Sequence, residues 1–253
     1  MIYSKEYAGR EWEVILPIRD TLADYAENIA EAIAVLSTVE ERSQMDVYYD
    51  LLGMGSDIIR VRSLNGMASQ RLSLRSSAEL LNDTYGMIAS AARAAEETKA
   101  AYRGSMSSEV VEYLDRVHPL PGLPEGYGIT LHSPVPAGFG TQGDFGDDVL
   151  PPFPRQVTTK LASALKHSEL AVSDFNAEGS LEPFLAVVDN GVSANLCNSV
   201  AELAKNGRGV DIDLTWADVR PVNVIAYSFR FSESSADILA EAAKIFSRRD
   251  PSF

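Results

Sequence analysis

With 253 residues, 45% of them hydrophobic and 23% charged, the chain is ordinary globular material, long enough to bury one large core or two small ones. Its 36 acidic against 22 basic residues give a formal charge of -14, a field that repels polyanions and argues against a protein that coats DNA or RNA. A single cysteine excludes an internal disulfide, and with only three histidines beside it little is left for a structural zinc site.

The opening residues MIYSKEYAGREWEVILPIRD carry no apolar h-region and no small-residue cleavage site, so no signal peptide is expected. No apolar run is long enough to span a bilayer, and a bacterial cytoplasm is the expected location by elimination. A strand over 11–16 stops at Pro17, and Asp20 or Thr21 can cap a helix whose Leu22, Tyr25, Ile29, Ile33 and Leu36 recur at helical spacing. Ser43 and Asp46 then form an S-x-x-D box opening a second helix through Leu52, which Gly53-Met54-Gly55 ends.

Ile59 and Val61, then Leu72 and Leu74, alternate with polar residues around Asn65-Gly66, which predicts a hairpin. Ser76 and Glu79 make an S-x-x-E box before an alanine-rich helix that runs to about Arg103, with Arg93 and Glu97 placed to pair at i,i+4. Residues 105–117 read as a short helix. The span 119–154 is rich in proline and glycine, with one strand expected at 128–132.

Beyond it, Val157, Leu161, Leu165, Val172 and Phe175 predict a long helix, and 181–188 and 193–205 two shorter ones. Val210, Ile212, Leu214 and Trp216 alternate with Asp211, Asp213 and Thr215, and 222–231 reads as the returning strand of a second hairpin. A last helix is expected from near Ser234, with Asp237 completing an S-x-x-D box, to about Arg248.

These elements lack the regular strand-helix alternation of a doubly wound sheet. They predict α+β, helix-rich, with an antiparallel or mixed β-sheet built from two hairpins. The expected organisation is a helical and hairpin part over 1–118, a loop region over 119–154, and helices, hairpin and helix over 155–253, as one compact domain or two closely packed halves.

In AGFGTQGDFGDD, Gly138, Gly140 and Gly143 fall on the G-x-G-x-x-G spacing. A dinucleotide fingerprint needs a strand before it and a helix after it; here Pro134 and Pro136 precede, Pro151-Pro152 follow, and Asp144, Asp147 and Asp148 would repel a pyrophosphate. A solvated loop is expected, and no G-x-x-x-x-G-K-[ST] occurs elsewhere.

If Ile59 and Val61 face the core, Arg60 and Arg62 share the other face, and Arg71 and Arg75 join them from the partner strand. Four guanidiniums together suit a phosphate, a carboxylate or a partner's acidic segment, or else pair with the protein's own Asp211 and Asp213. Those two aspartates are themselves candidates to hold a divalent metal, although a solvated strand face explains them as well. Cys197 lies beside the helical stripe Val192, Leu196, Val200, Leu203 and reads as a small buried thiol. No G-x-S-x-G elbow is present, and no residue is assigned a catalytic role.

The stretches DLLGMGSDIIRVR, YRGSMSSEVVEYLDRVH and GVSANLCNSVAELA resemble a family of uncharacterised bacterial proteins, many of them actinobacterial. The resemblance covers most of 12–246; it implies no activity and no site residues. Its members continue past the last helix into a further β-rich segment, so it implies a short form or a fragment.

The expected function is a non-catalytic binding or assembly module that engages a protein partner or itself, using the arginine surface and a helix face, without cofactor or membrane. Proteins of this kind often belong to multi-gene systems. The alternative is an enzyme acting on a phosphorylated or nucleotide ligand, with Arg60, Arg62 and Arg75 on the anion and Asp211 and Asp213 on a metal. Association with nucleic acid through the same arginines is a third reading, which the net charge opposes.

Overall fold

The computed structural model describes residues 56–65, 72–119, 128–135, 151–216 and 225–249. In β1 (Ser56–Ser63) half-buried and buried residues alternate along the whole strand, as a period of two with one face on a core requires. The chain continues through α1 (Leu74–Glu96), α2 (Ser108–Arg116), β2 (His118–Pro119) and β3 (Gly128–Pro134). Then come α3 (Phe153–Glu178), α4 (Glu182–Leu185), a 3-10 turn at Val188–Asn190, α5 (Ala194–Asn206), β4 (Val210–Thr215), β5 (Ile225–Phe231) and α6 (Glu233–Arg249). The strands make one five-stranded sheet in the order β2-β3-β1-β4-β5, with every neighbouring pair antiparallel. The protein is therefore α+β with an antiparallel sheet, as the element pattern predicts.

The hairpin expected over 210–231 forms from β4 and β5. The hairpin expected around Asn65-Gly66 does not. Both edges of β1 are occupied, by β3 and by β4, so no ladder is open to residues 72–74. Ser73 has extended backbone, and its hydroxyl accepts the Ser76 amide, which makes it the N-cap of α1 and Leu74 the first helical residue. The Leu64 and Asn65 amides bond instead to the carbonyls of Gly209 and Gly207, at 3.0 and 2.8 Å, in the turn that leads into β4. Gly209 holds φ at +106° there, and a Cβ would stand 2.5 Å from Leu64 Cδ1, so this turn accepts only glycine without strain.

Helix α1 also stops earlier than its alanines suggest, at Glu96. Arg93 does not wait for Glu97; it donates to the carbonyls of Arg103, Gly104 and Ser105 and lies 5.2 Å from the Tyr102 ring, while Glu97 pairs with Lys99. Capping at Ser107 and Ser193 starts α2 and α5 close to where the sequence places them.

One face of the sheet supplies Ile59, Val61, Leu131, Ile212, Phe229 and Phe231 to a single buried cluster with residues of α1, α3, α5 and α6. Within the helical layer α5 packs against α1 and α6, and α1 against α3. Gly86 makes the α1–α5 approach close: a Cβ there would lie 2.6 Å from Ser199 Oγ. Among the described residues no helix is long and apolar enough to cross a membrane. The strand expected at 11–16, the two helices expected over 20–52, Arg71 and the glycine run lie outside the described residues.

Candidate functional site

The second face of the sheet is polar, and the strand register builds it. Directly opposed residues in an antiparallel ladder share a face. Arg60 of β1 stands opposite Thr130 of β3 and Asp213 of β4, and Asp213 stands opposite Ser228 of β5. One row along, Arg62 faces Gly128 and Asp211, and Asp211 faces Arg230. On the other side of Arg60, Ile58 faces His132, which in turn faces His118 of β2.

Most of the charge on this face is consumed internally. Arg62 Nη2 donates to Asp213 Oδ2 at 2.6 Å, and Ser228 Oγ donates to Asp213 Oδ1 at 2.7 Å. Arg230 grips Asp211 with two prongs, Nε at 2.6 Å and Nη2 at 2.8 Å, the bidentate geometry in which a guanidinium-carboxylate pair is strongest. Asp211 and Asp213 are each only 4% exposed, so the pairing of arginine face with Asp211 and Asp213 holds for Arg62. Arg230 belongs to the face as well, and alternation with Phe229 and Phe231 was the signal that could have found it.

Arg75 does not reach this surface. The predicted partner strand is the first turn of α1 instead, where Arg75 Nε bonds Glu79 at 2.9 Å with its side chain 88% exposed. That hydrogen bond, with the charge of Glu79, raises its pKa above the ordinary arginine value. Arg71 lies outside the described residues. The carboxylates of Asp211 and Asp213 are committed to guanidiniums and to Ser228, and among the described residues no group of three or more His, Cys, Asp or Glu side chains is placed to hold a metal ion.

Arg60 is left over. Its cross-strand aspartate is already held by Arg62 and Ser228. Among the described residues, six buried side-chain polar atoms have no hydrogen-bond partner, and four of them, Arg60 Nε, Arg62 Nε, Thr130 Oγ1 and His132 Nε2, are on this face. Thr130 is 4% exposed and His132 9%. Burial, and then the nearby His118, holds the His132 imidazole down to about 4, so the ring is neutral at neutral pH.

A different polar cluster closes the core side of the sheet at the start of β1. Asp57 is buried there, paired with Arg155 Nη2 of α3 at 2.8 Å and accepting from Thr158 Oγ1. Arg155 lies 5.1 Å from the Trp216 ring, and the Tyr113 hydroxyl is 3.0 Å from Ser133 Oγ, whose residue is the register partner of Asp57. Tyr113 is pushed up chiefly by burial. These contacts bind α3 and α2 to the sheet, and a buried ion pair of this kind fixes geometry more than it adds stability. Cys197 is fully buried, and burial pushes its thiol up to about 12, which leaves it inert as a nucleophile.

No family model, no curated protein and no solved structure matches the chain.

Proposed function

We propose that the protein is a binding or assembly module that joins a second copy of itself through the outer face of α1. One observation carries this reading. Leu74, Ala78, Leu81 and Tyr85 recur along α1 at the spacing i, i+4, i+7, i+11, which puts them on one side of the helix. All four are exposed, Leu74 by 90%, Leu81 by 45% and Tyr85 by 49%. A contiguous apolar row open to water at this level marks a contact surface.

The spacing of the row fits a self-complementary contact. A two-fold axis between Ala78 and Leu81 would set Leu74 of one copy against Tyr85 of the other and Ala78 against Leu81. The internal pairing of Asp211 and Asp213 and the raised thiol of Cys197 support a role in binding over chemistry.

Tyrosine labelling at rising protein concentration tests the reading. Tyr85 is expected to become protected, while Tyr227 on β5, exposed by 41%, keeps reacting at its dilute rate. Equal labelling of both tyrosines at every concentration would overturn it.

A further inference from the structure

We propose that the β1–β3 corner of the polar sheet face, formed by Arg60, Thr130 and His132, binds a phosphate-class oxyanion such as the phosphoryl group of a phosphomonoester. The site is independent of the α1 contact, since it lies on the face of the sheet opposite the buried cluster that the helices share.

Charge is the first argument. Among the described residues, three arginines, Arg60, Arg62 and Arg230, meet two aspartates on this face; Arg62 and Arg230 take both, and no ion pair holds Arg60. In a chain of net charge -14 this is a local inversion of sign.

The second argument is hydrogen bonding. Buried polar groups in folded proteins nearly always have partners. Here Thr130 Oγ1 and His132 Nε2 have none among the described residues, and both sit on the face that carries Arg60. Thr130 is the direct cross-strand neighbour of Arg60, and His132 is two residues further along the same strand, so the three form one triangle of polar side chains.

The shape of the set selects the ligand. A planar carboxylate is matched by one guanidinium fork. A fork, a hydroxyl and an imidazole contributed by two strands spread their contacts over more than one plane, which suits the several oxygens of a tetrahedral anion. No bond is made or broken in this role; the site holds the group.

The test is a titration of the full chain at pH 7 and constant ionic strength with inorganic phosphate, with phenyl phosphate and with acetate, following the imidazole signals by NMR. Phosphate and phenyl phosphate are expected to shift the His132 signal saturably in the millimolar range, and acetate is not. Arg60→Gln is expected to weaken binding at least about tenfold, the loss of a charge-assisted contact, and Thr130→Val by less. Lys244→Gln, remote on α6 where Lys244 pairs with Glu241, should bind as the wild type does. Thermal unfolding of each variant establishes that it is folded before its binding is compared. Absence of a saturable shift, an unaltered affinity in folded Arg60→Gln, or acetate binding as well as phosphate would each overturn the proposal. Because Tyr85 labelling reads a different surface, the failure of either result leaves the other standing.

Discussion

His132 and Asp57 sit on opposite faces of the sheet and show how burial decides what a titratable side chain does. Asp57 is buried with partners, since the Arg155 guanidinium and the Thr158 hydroxyl meet it inside the protein. His132 loses its charge: burial holds it down to about 4, against 6.5 for a free imidazole. Between those values the unfolded chain binds the proton and the folded chain does not, so this group's contribution is whole above about 6.5 and is lost as the pH falls towards 4. His132→Gln removes the linkage. The denaturation midpoint of the wild type is expected to fall more steeply than the variant's between about pH 7 and pH 4.5, and parallel slopes would contradict the assignment. At this scale the sequence is a partial guide. Alternation of Ile59 and Val61 correctly turns Arg60 and Arg62 to the polar face. The partner of Asp57 lies far along the chain in α3, and no local pattern announces a contact between residues so distant.

The elements differ in how far local signals govern them. Helix α1 opens in a serine-rich stretch, LSLRSSAEL, where Ser73, Ser76 and Ser77 are all chemically fit to cap. Residue type alone points to the S-x-x-E pair of Ser76 and Glu79; in the folded chain Ser73 accepts the Ser76 amide and Glu79 is taken by Arg75. Ser73→Ala is therefore expected to destabilise the protein by about 1 kcal/mol, and Ser76→Ala by only a few tenths, in urea denaturation. A larger loss for Ser76→Ala would return the cap to Ser76. The Asn65-Gly66 signal failed for another reason. A turn dipeptide proposes a hairpin, but β1 is the central strand, and β3 and β4 claim both of its edges. The strand itself was legible from its period of two. Its neighbours were not, because pairing depends on which distant segments bury their apolar face with it.

At the scale of the whole molecule, β1 holds the architecture together, since it joins β3 from the middle of the chain to the β4–β5 hairpin near its end. This arrangement brings Arg60 beside Thr130 and His132, and Arg62 beside Asp213, so the candidate anion corner and the ion pairs next to it follow from the order of the strands. The α+β class was readable from the sequence, and so was a helix in the alanine-rich stretch. Which of its apolar residues remain uncovered was not: Leu80 and Leu81 are adjacent leucines, and only packing against α5 and α3 determines that Leu80 is buried while Leu81 faces water. That uncovered row on α1 is the ground on which we propose assembly. The most direct measurement is sedimentation equilibrium of the wild-type chain over a concentration series, run beside the double variant Leu81→Glu, Tyr85→Glu. The wild type is expected to approach twice the mass of one chain as concentration rises, with the variant held at a single chain. A wild type that remains a single chain throughout, or a folded variant that associates just as well, would contradict assembly through this face.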